Sequence, residues 1–112
     1  MNMNTLPKNT PWGTPDQVET VIAGIYRVDT PSHGGFWVCP DLNQLIPLEH
    51  RNASFCGQGH QGWYEEDCDW AIPALAFKEE FGTYYEKKSG GKLPKEKLIA
   101  DAVATLKQWK HL

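Results

Sequence analysis

The chain has no apolar run near the roughly 20 residues that a membrane-crossing helix needs, and residues 1–12 lack the hydrophobic stretch of a secretory signal. No membrane association is expected, and a cytoplasmic location is. Cations are not in excess either: the formal charge is −3 and the isoelectric point about 5.7. Nucleic-acid affinity comes from clustered Lys and Arg on phosphates, so direct nucleic-acid binding is not expected. Lys87, Lys88, Lys92, Lys95 and Lys97 do gather, in the pattern of a solvated helix face. The three cysteines, Cys39, Cys56 and Cys68, are odd in number and irregular in spacing, which suits reduced thiols and not a disulfide frame. Gly57-Gln58-Gly59 is too short for a phosphate loop, and the P-loop and dinucleotide fingerprints are absent. There is no internal repeat and no low-complexity segment.

What remains is a length of 112 residues with 40% hydrophobic content, enough for one core. The five tryptophans are many for that length, so aromatic area should anchor the core. Pro7, Pro11 and Pro15 mark residues 1–14 as an extended N-terminal arm whose Trp12 can dock on a single domain, 15–112. The run "VETVIAGIYRVD" reads as strand with a bend at Gly24, and "GFWVC" as a strand returning after a turn at Pro31 to Gly34. "DLNQLIP" reads as a short helical turn opened by Asp41 and closed by Pro47. Trp70, Ala74, Phe77 and Phe81 form one helical stripe, predicting a helix over 67–81 that Gly82 stops; with Pro73 inside it, either the acidic segment forms a separate first turn or the helix is kinked at Pro73. After a hinge at Ser89-Gly90-Gly91, a last helix over 94–110 should bury Leu98, Ile99, Ala102, Val103, Leu106 and Trp109. The expected class is α+β: a small antiparallel sheet of about three strands over 18–39, with two C-terminal helices packed against it.

Two stretches carry chemistry. In Ser32-His33-Gly34-Gly35 a histidine sits on a turn beside a glycine pair, whose amides can approach a ligand closely. Ordinary hairpin chemistry explains the same residues. Glu65, Glu66, Asp67 and Asp69 crowd four carboxylates, which raises at least one pKa unless a cation lies opposite, although acids at a helix start suit its dipole equally. Trp63 and Tyr64 beside them would wall a pocket. The resulting picture has His33, Glu65, Glu66 and Asp67 as catalytic groups, one carboxylate a general base and His33 its acid partner. Ser32, Gly34, Gly35, Trp63 and Tyr64 bind the ligand. A divalent ion is compatible, yet the residues name no cofactor. A Cys68–His33–Asp67 hydrolase is disfavoured because carboxylates oppose the thiolate. A zinc set of Cys39, Cys56, His60 and Cys68 lacks a tight knuckle.

"PWGTPDQVE", "GIYRVDTPSHGGF" and "WYEEDCDWAI", in that order over about Pro11 to Phe81, resemble an uncharacterised domain family of bacteriophage and mobile-element proteins. The helix from Lys92 onward lies outside that resemblance. The family's motif positions fall on His33, Gly34, Gly35, Glu65, Glu66 and Asp67, and the resemblance implies a phage or mobile-element setting with a counter-defence role in the host cytoplasm. Two functions follow as expectations. One is a pocket that binds, or hydrolyses, a small polar ligand such as a nucleotide. The other is a protein-binding inhibitor of a host defence or nucleic-acid-binding protein that uses the acidic surface. The aromatic surplus would also serve a homodimer.

Overall fold

In the computed structural model, which describes residues 6–112, the β-branched run becomes two strands, β1 (Gln17–Ile22) and β2 (Ile25–Asp29). The turn between them rests on Gly24 at φ +97°, a left-handed conformation that costs glycine nothing. Strand β3 (Gly34–Val38) returns antiparallel, and β4 (Trp63–Glu65) completes a sheet of four strands in the order β1-β2-β3-β4. The expectation of about three strands is corrected by β4, whose three residues are too few to display an alternating pattern.

The helices are not all C-terminal. Two short ones, α1 (Pro40–Asn43) and α2 (Leu48–Asn52), and a 3-10 turn (Phe55–Gln58) lie between β3 and β4. Beyond β4 come α3 (Ala71–Ala76), α4 (Lys78–Lys88) and α5 (Lys95–Thr105). The helix expected over 67–81 is therefore divided. Pro73 sits in the first turn of α3, where backbone N–H groups have no intrahelical acceptor, so it breaks nothing. The break falls at Phe77, which leaves helical geometry at φ −125°, ψ 60°. Nor does Gly82 stop the helix: it lies buried inside α4 because a Cβ there would come within 2.9 Å of the Lys95 side chain from α5. The chain reverses later, at Gly90 and Gly91, both left-handed.

Strand alternation divides the core. Ile25, Phe36, Val38 and Tyr64 face the helices and join Ile72, Phe81, Leu98, Ala102 and Leu106. Val28, Trp37, Cys39 and Trp63 face the other way, where Leu6, Trp12 and Phe55 cover them. Strand β3, between two strands and under both layers, is buried along its whole length. Over 95–110 only the Leu98, Ala102, Leu106 stripe is buried; Val103 is 37% and Trp109 63% exposed, contrary to expectation. The wider π geometry of Leu106–Lys110 ends the α-helical period, which carries Trp109 outward. No described helix is long and apolar enough to cross a membrane.

The arm folds back through a tight turn in which Thr10 Oγ1 donates to Gly13 O at 2.6 Å. Trp12 then meets Trp63 edge-on at 5.4 Å and stacks with Phe55 at 5.9 Å. Residues 1–5 of the expected arm lie outside the described ones. Gly35 makes this seat, since a Cβ there would run into the Tyr64 carbonyl and lie 2.6 Å from Trp12 Cη2. Gly35→Ala should cost about 1–3 kcal/mol, an overpacking penalty, measurable by urea denaturation. An unchanged midpoint would show that neither the Tyr64 carbonyl nor the Trp12 ring lies so close to Gly35 in solution.

Candidate functional site

The β2–β3 hairpin and the acidic turn share one end of the sheet. Thr30 closes the hairpin loop: its N–H and its hydroxyl both donate to His33 O at 2.8 Å, and Oγ1 accepts from His33 N at 3.1 Å. Gly35 pairs with Glu65, and Glu66 N–H donates to Gly34 O at 3.0 Å, so the backbone brings the His33 loop beside the carboxylates. Ser32 and His33 are exposed.

The aromatic walls do not join them. Along β4 the side chains alternate, so Tyr64 points into the helix-side core, fully buried, while Trp63 packs with Trp12 and Trp37 on the opposite face. Gly34 and Gly35 also have structural duties. A Cβ on Gly34 would lie 2.8 Å from Asp29 Oδ1 and 2.9 Å from Arg27 Nη2.

Arg27 occupies that space. Its Nη2 donates to Asp29 Oδ1 at 2.8 Å and to Glu66 Oε1 at 2.9 Å, and its guanidinium lies 5.4 Å from the Phe36 ring centroid. Burial pulls the guanidinium pKa down, but the bonds to Asp29 and Glu66 more than offset this and raise it above its ordinary value. Glu66 is thus the partner of a fixed cation, which does not suit a general base. Glu65 and Asp67 are left facing one another. That contact first, then partial burial and the charges of Asp67 and Asp69, hold the Glu65 carboxyl above the usual range, with a small opposing effect from His33.

Asp69, 3% exposed, is a structural acid. Oδ2 accepts from Phe55 N–H at 2.7 Å, and Oδ1 faces Lys110 Nζ at 2.6 Å. Beside it the Cys68 thiol is pushed up by burial, against the pull of Lys110, and this disfavours the thiolate a hydrolase would need. The four expected zinc ligands are dispersed. Cys39 and Cys56 lie in different clusters, Cys68 sits by Lys110, and His60 stacks on Phe55 at 4.0 Å. Among the described residues no three His, Cys, Asp or Glu side chains are placed to hold a metal ion.

A second region was not visible in the sequence. Trp37 and Val38 of β3, Pro40, Asn43 and Gln44 at α1, Arg51 of α2, and Gln61-Gly62 before β4 line a cleft of about 400 Å³. Its floor is a buried polar network. Tyr64 Oη donates to Asn43 Oδ1 at 2.5 Å, Asn43 Nδ2 donates to Gln61 Oε1 at 3.4 Å and faces Cys56 Sγ at 3.6 Å, and Gly62 N–H points at the same sulfur at 3.3 Å. Burial drives the Tyr64 hydroxyl pKa well above its ordinary value, so it remains a donor. Gly62 is left-handed (φ +85°), and a Cβ there would lie 2.5 Å from Val38 O and 3.3 Å from Trp37 Nε1. These residues are scattered amides and one arginine with no motif spacing. Their nearest sequence signal is the density of Asn, Gln and Gly in 43–62.

The fold and the cleft define an α+β domain in which a sheet with its β3 strand buried on both faces presents a polar recess at one end and paired charges at the other. The chain belongs to the family described as Domain of unknown function (DUF7007), which matches residues 5–111. That span includes the C-terminal helix, which the motif resemblance had left outside. No curated protein and no solved structure matches the chain.

The Glu65–Asp67 contact has a pH signature. A carboxyl whose pKa is raised by folding binds more protons in the native state, so its contribution favours the fold at low pH. That contribution is lost as pH rises from the ordinary carboxylate value, about 4.3, through the raised one. Glu65→Gln should therefore melt above the parent near pH 7, with the gap closing below about pH 4. A parent that melts higher at neutral pH would mean that the two carboxylates do not repel.

Proposed function

We propose that this domain works by binding a small polar ligand in the cleft between β3, α1, α2 and Gln61-Gly62, without catalysing its conversion. One observation carries the reading: the polar floor is already built. Asn43, 4% exposed, is held by Tyr64 and Gln61, so a ligand would meet oriented groups without ordering them at its own expense. The hairpin end supports chemistry less well, since Glu66 is tied to Arg27 and Trp63 and Tyr64 are buried. His33, Glu65 and Asp67 then lie apart from the ligand. The resemblance of the Thr30-to-Gly35 and Trp63-to-Trp70 strings supports a phage or mobile-element setting. In such a setting, sequestering a small host signal, a nucleotide among them, would blunt a defence response.

A second reading keeps the function at the acidic end, as a surface that docks on a basic host protein. It is favoured by the exposure of Glu66 and Asp67 beside an exposed His33. Native mass spectrometry of the protein against a mixture of nucleotides and cyclic nucleotides separates the two. Under the cleft reading a bound mass appears, falls at least about tenfold with Gln61→Trp, which fills the recess from an exposed position, and survives the pair Glu65→Gln and Asp67→Asn. A mass unchanged by every nucleotide would favour the docking surface, and binding lost with the acidic pair but kept with Gln61→Trp would overturn the cleft and move the ligand site to the hairpin end.

A further inference from the structure

The cleft is lined by one cation and no carboxylate, and we infer that its ligand presents an oxyanion, phosphoryl or carboxylate, to Arg51 and the Trp37 indole N–H. The inference rests on the cleft reading and adds the chemistry of what is bound.

Arg51 differs from the cations of the domain that are tied to acids. Arg27 is held by two carboxylates, and Lys88, Lys95, Lys97 and Lys110 each pair with an acid. Arg51 instead donates Nε to the backbone carbonyl of Ile46 at 3.0 Å, which fixes the plane of the guanidinium, and its Nη nitrogens have no carboxylate partner among the described residues. A guanidinium oriented through Nε with both Nη groups unpaired is the half of a bidentate contact that the protein supplies. Its charge is near enough to the floor to be felt at the Tyr64 hydroxyl, where it opposes the larger upward push of burial.

The rest of the lining agrees. No Asp or Glu lines the cleft, in a chain whose net charge is −3, and the acids of the same helices, Asp41 and Glu49, are exposed and outside the lining. Trp37 is only 5% exposed, yet its Nε1–H has no acceptor among the described residues, and a Cβ on Gly62 would crowd that nitrogen at 3.3 Å. Gln61 accepts from Asn43 through Oε1, which leaves its amide nitrogen as the free group. An unpaired cation, an indole N–H and an amide N–H₂ on one recess suit a group with several lone pairs and a negative charge. A neutral sugar or amide would leave the cation without a counter-charge in a partly desolvated site.

The test is a ¹H–¹⁵N NMR titration of the full chain with inorganic phosphate and, separately, acetate, ionic strength held constant with sodium chloride. Neutral nucleosides form a third arm. Saturable shifts of the Trp37 indole N–H and the Gly62 amide are expected with an anion, at least about tenfold weaker in Arg51→Gln and intermediate in Arg51→Lys, which keeps the charge without the fork. A stronger response to phosphate than to acetate names the phosphoryl group, and the reverse names the carboxylate. Arg51→Lys also keeps the test decisive should loss of the Ile46 bond destabilise the glutamine variant. Nucleosides that shift these resonances as well in Arg51→Gln as in the parent would overturn the anion inference and leave the cleft as a ligand site. No shift with any of the three probes would remove both.

Discussion

Strand β3 is covered on both faces, and most of the molecule is arranged around that fact. A strand flanked by β2 and β4, with helices over Phe36 and Val38 and the arm over Gly35 and Trp37, has no solvent side on which to place a polar residue. Its sequence is therefore Gly-Gly-Phe-Trp-Val, apolar throughout. The glycines are required by what crosses them. Gly34 gives room to the Arg27–Asp29 pair, and Gly35 to the Trp12 ring. The feature that first suggests a ligand loop is thus accounted for by the covering of the sheet, and the loop's histidine is left on the surface.

The same burial sorts the charges. Arg27 and Asp69 approach the core, and each finds its counter-charge and further hydrogen bonds, the condition for an ion to stay buried. Lys110 reaches Asp69 because the chain leaves α-helical geometry after Leu106, so the irregular turn that exposes Trp109 also closes the ion pair. Acids outside such pairs, Glu65 and Asp67, meet one another. Their mutual repulsion belongs to a surface left unneutralised, and it is tolerable because water screens it.

Much of the fold was legible where its periodicity was long. The β-branched run, the returning aromatic strand, the Ser89-Gly90-Gly91 reversal and the Leu98, Ala102, Leu106 stripe all correspond to elements. What failed were local rules overridden by neighbours. Gly82 is a helix-stop signal in isolation, but here it lies inside α4 where the Lys95 side chain of α5 crosses closely enough that a Cβ would make it shift. Pro73 is a breaker only past the first helical turn, and α3 begins too late for that. Trp63 and Tyr64 looked like two walls of one pocket until β4 formed, after which their period of two assigns them to opposite cores. The cleft was illegible for a different reason. Trp37, Asn43, Arg51 and Gln61 carry no shared motif, and only the pairing of β4 with β3 brings Gln61-Gly62 beside Trp37.

Tyr64 ties the floor of the cleft to the core. Tyr64 has its ring in the helix-side cluster and its hydroxyl on Asn43, so the amide that floors the recess is oriented by the residue that helps close the hydrophobic layer. Such a floor loses its geometry if the core loosens. By linkage, a ligand that binds only the ordered floor stabilises the whole domain, by an amount that grows with the logarithm of its concentration over its dissociation constant. A catalytic group in this position would need freedom to exchange protons, but the Tyr64 proton is held by burial and by its bond to Asn43. A preformed polar recess whose floor hydroxyl keeps its proton suits recognition, in keeping with the binding role proposed for it.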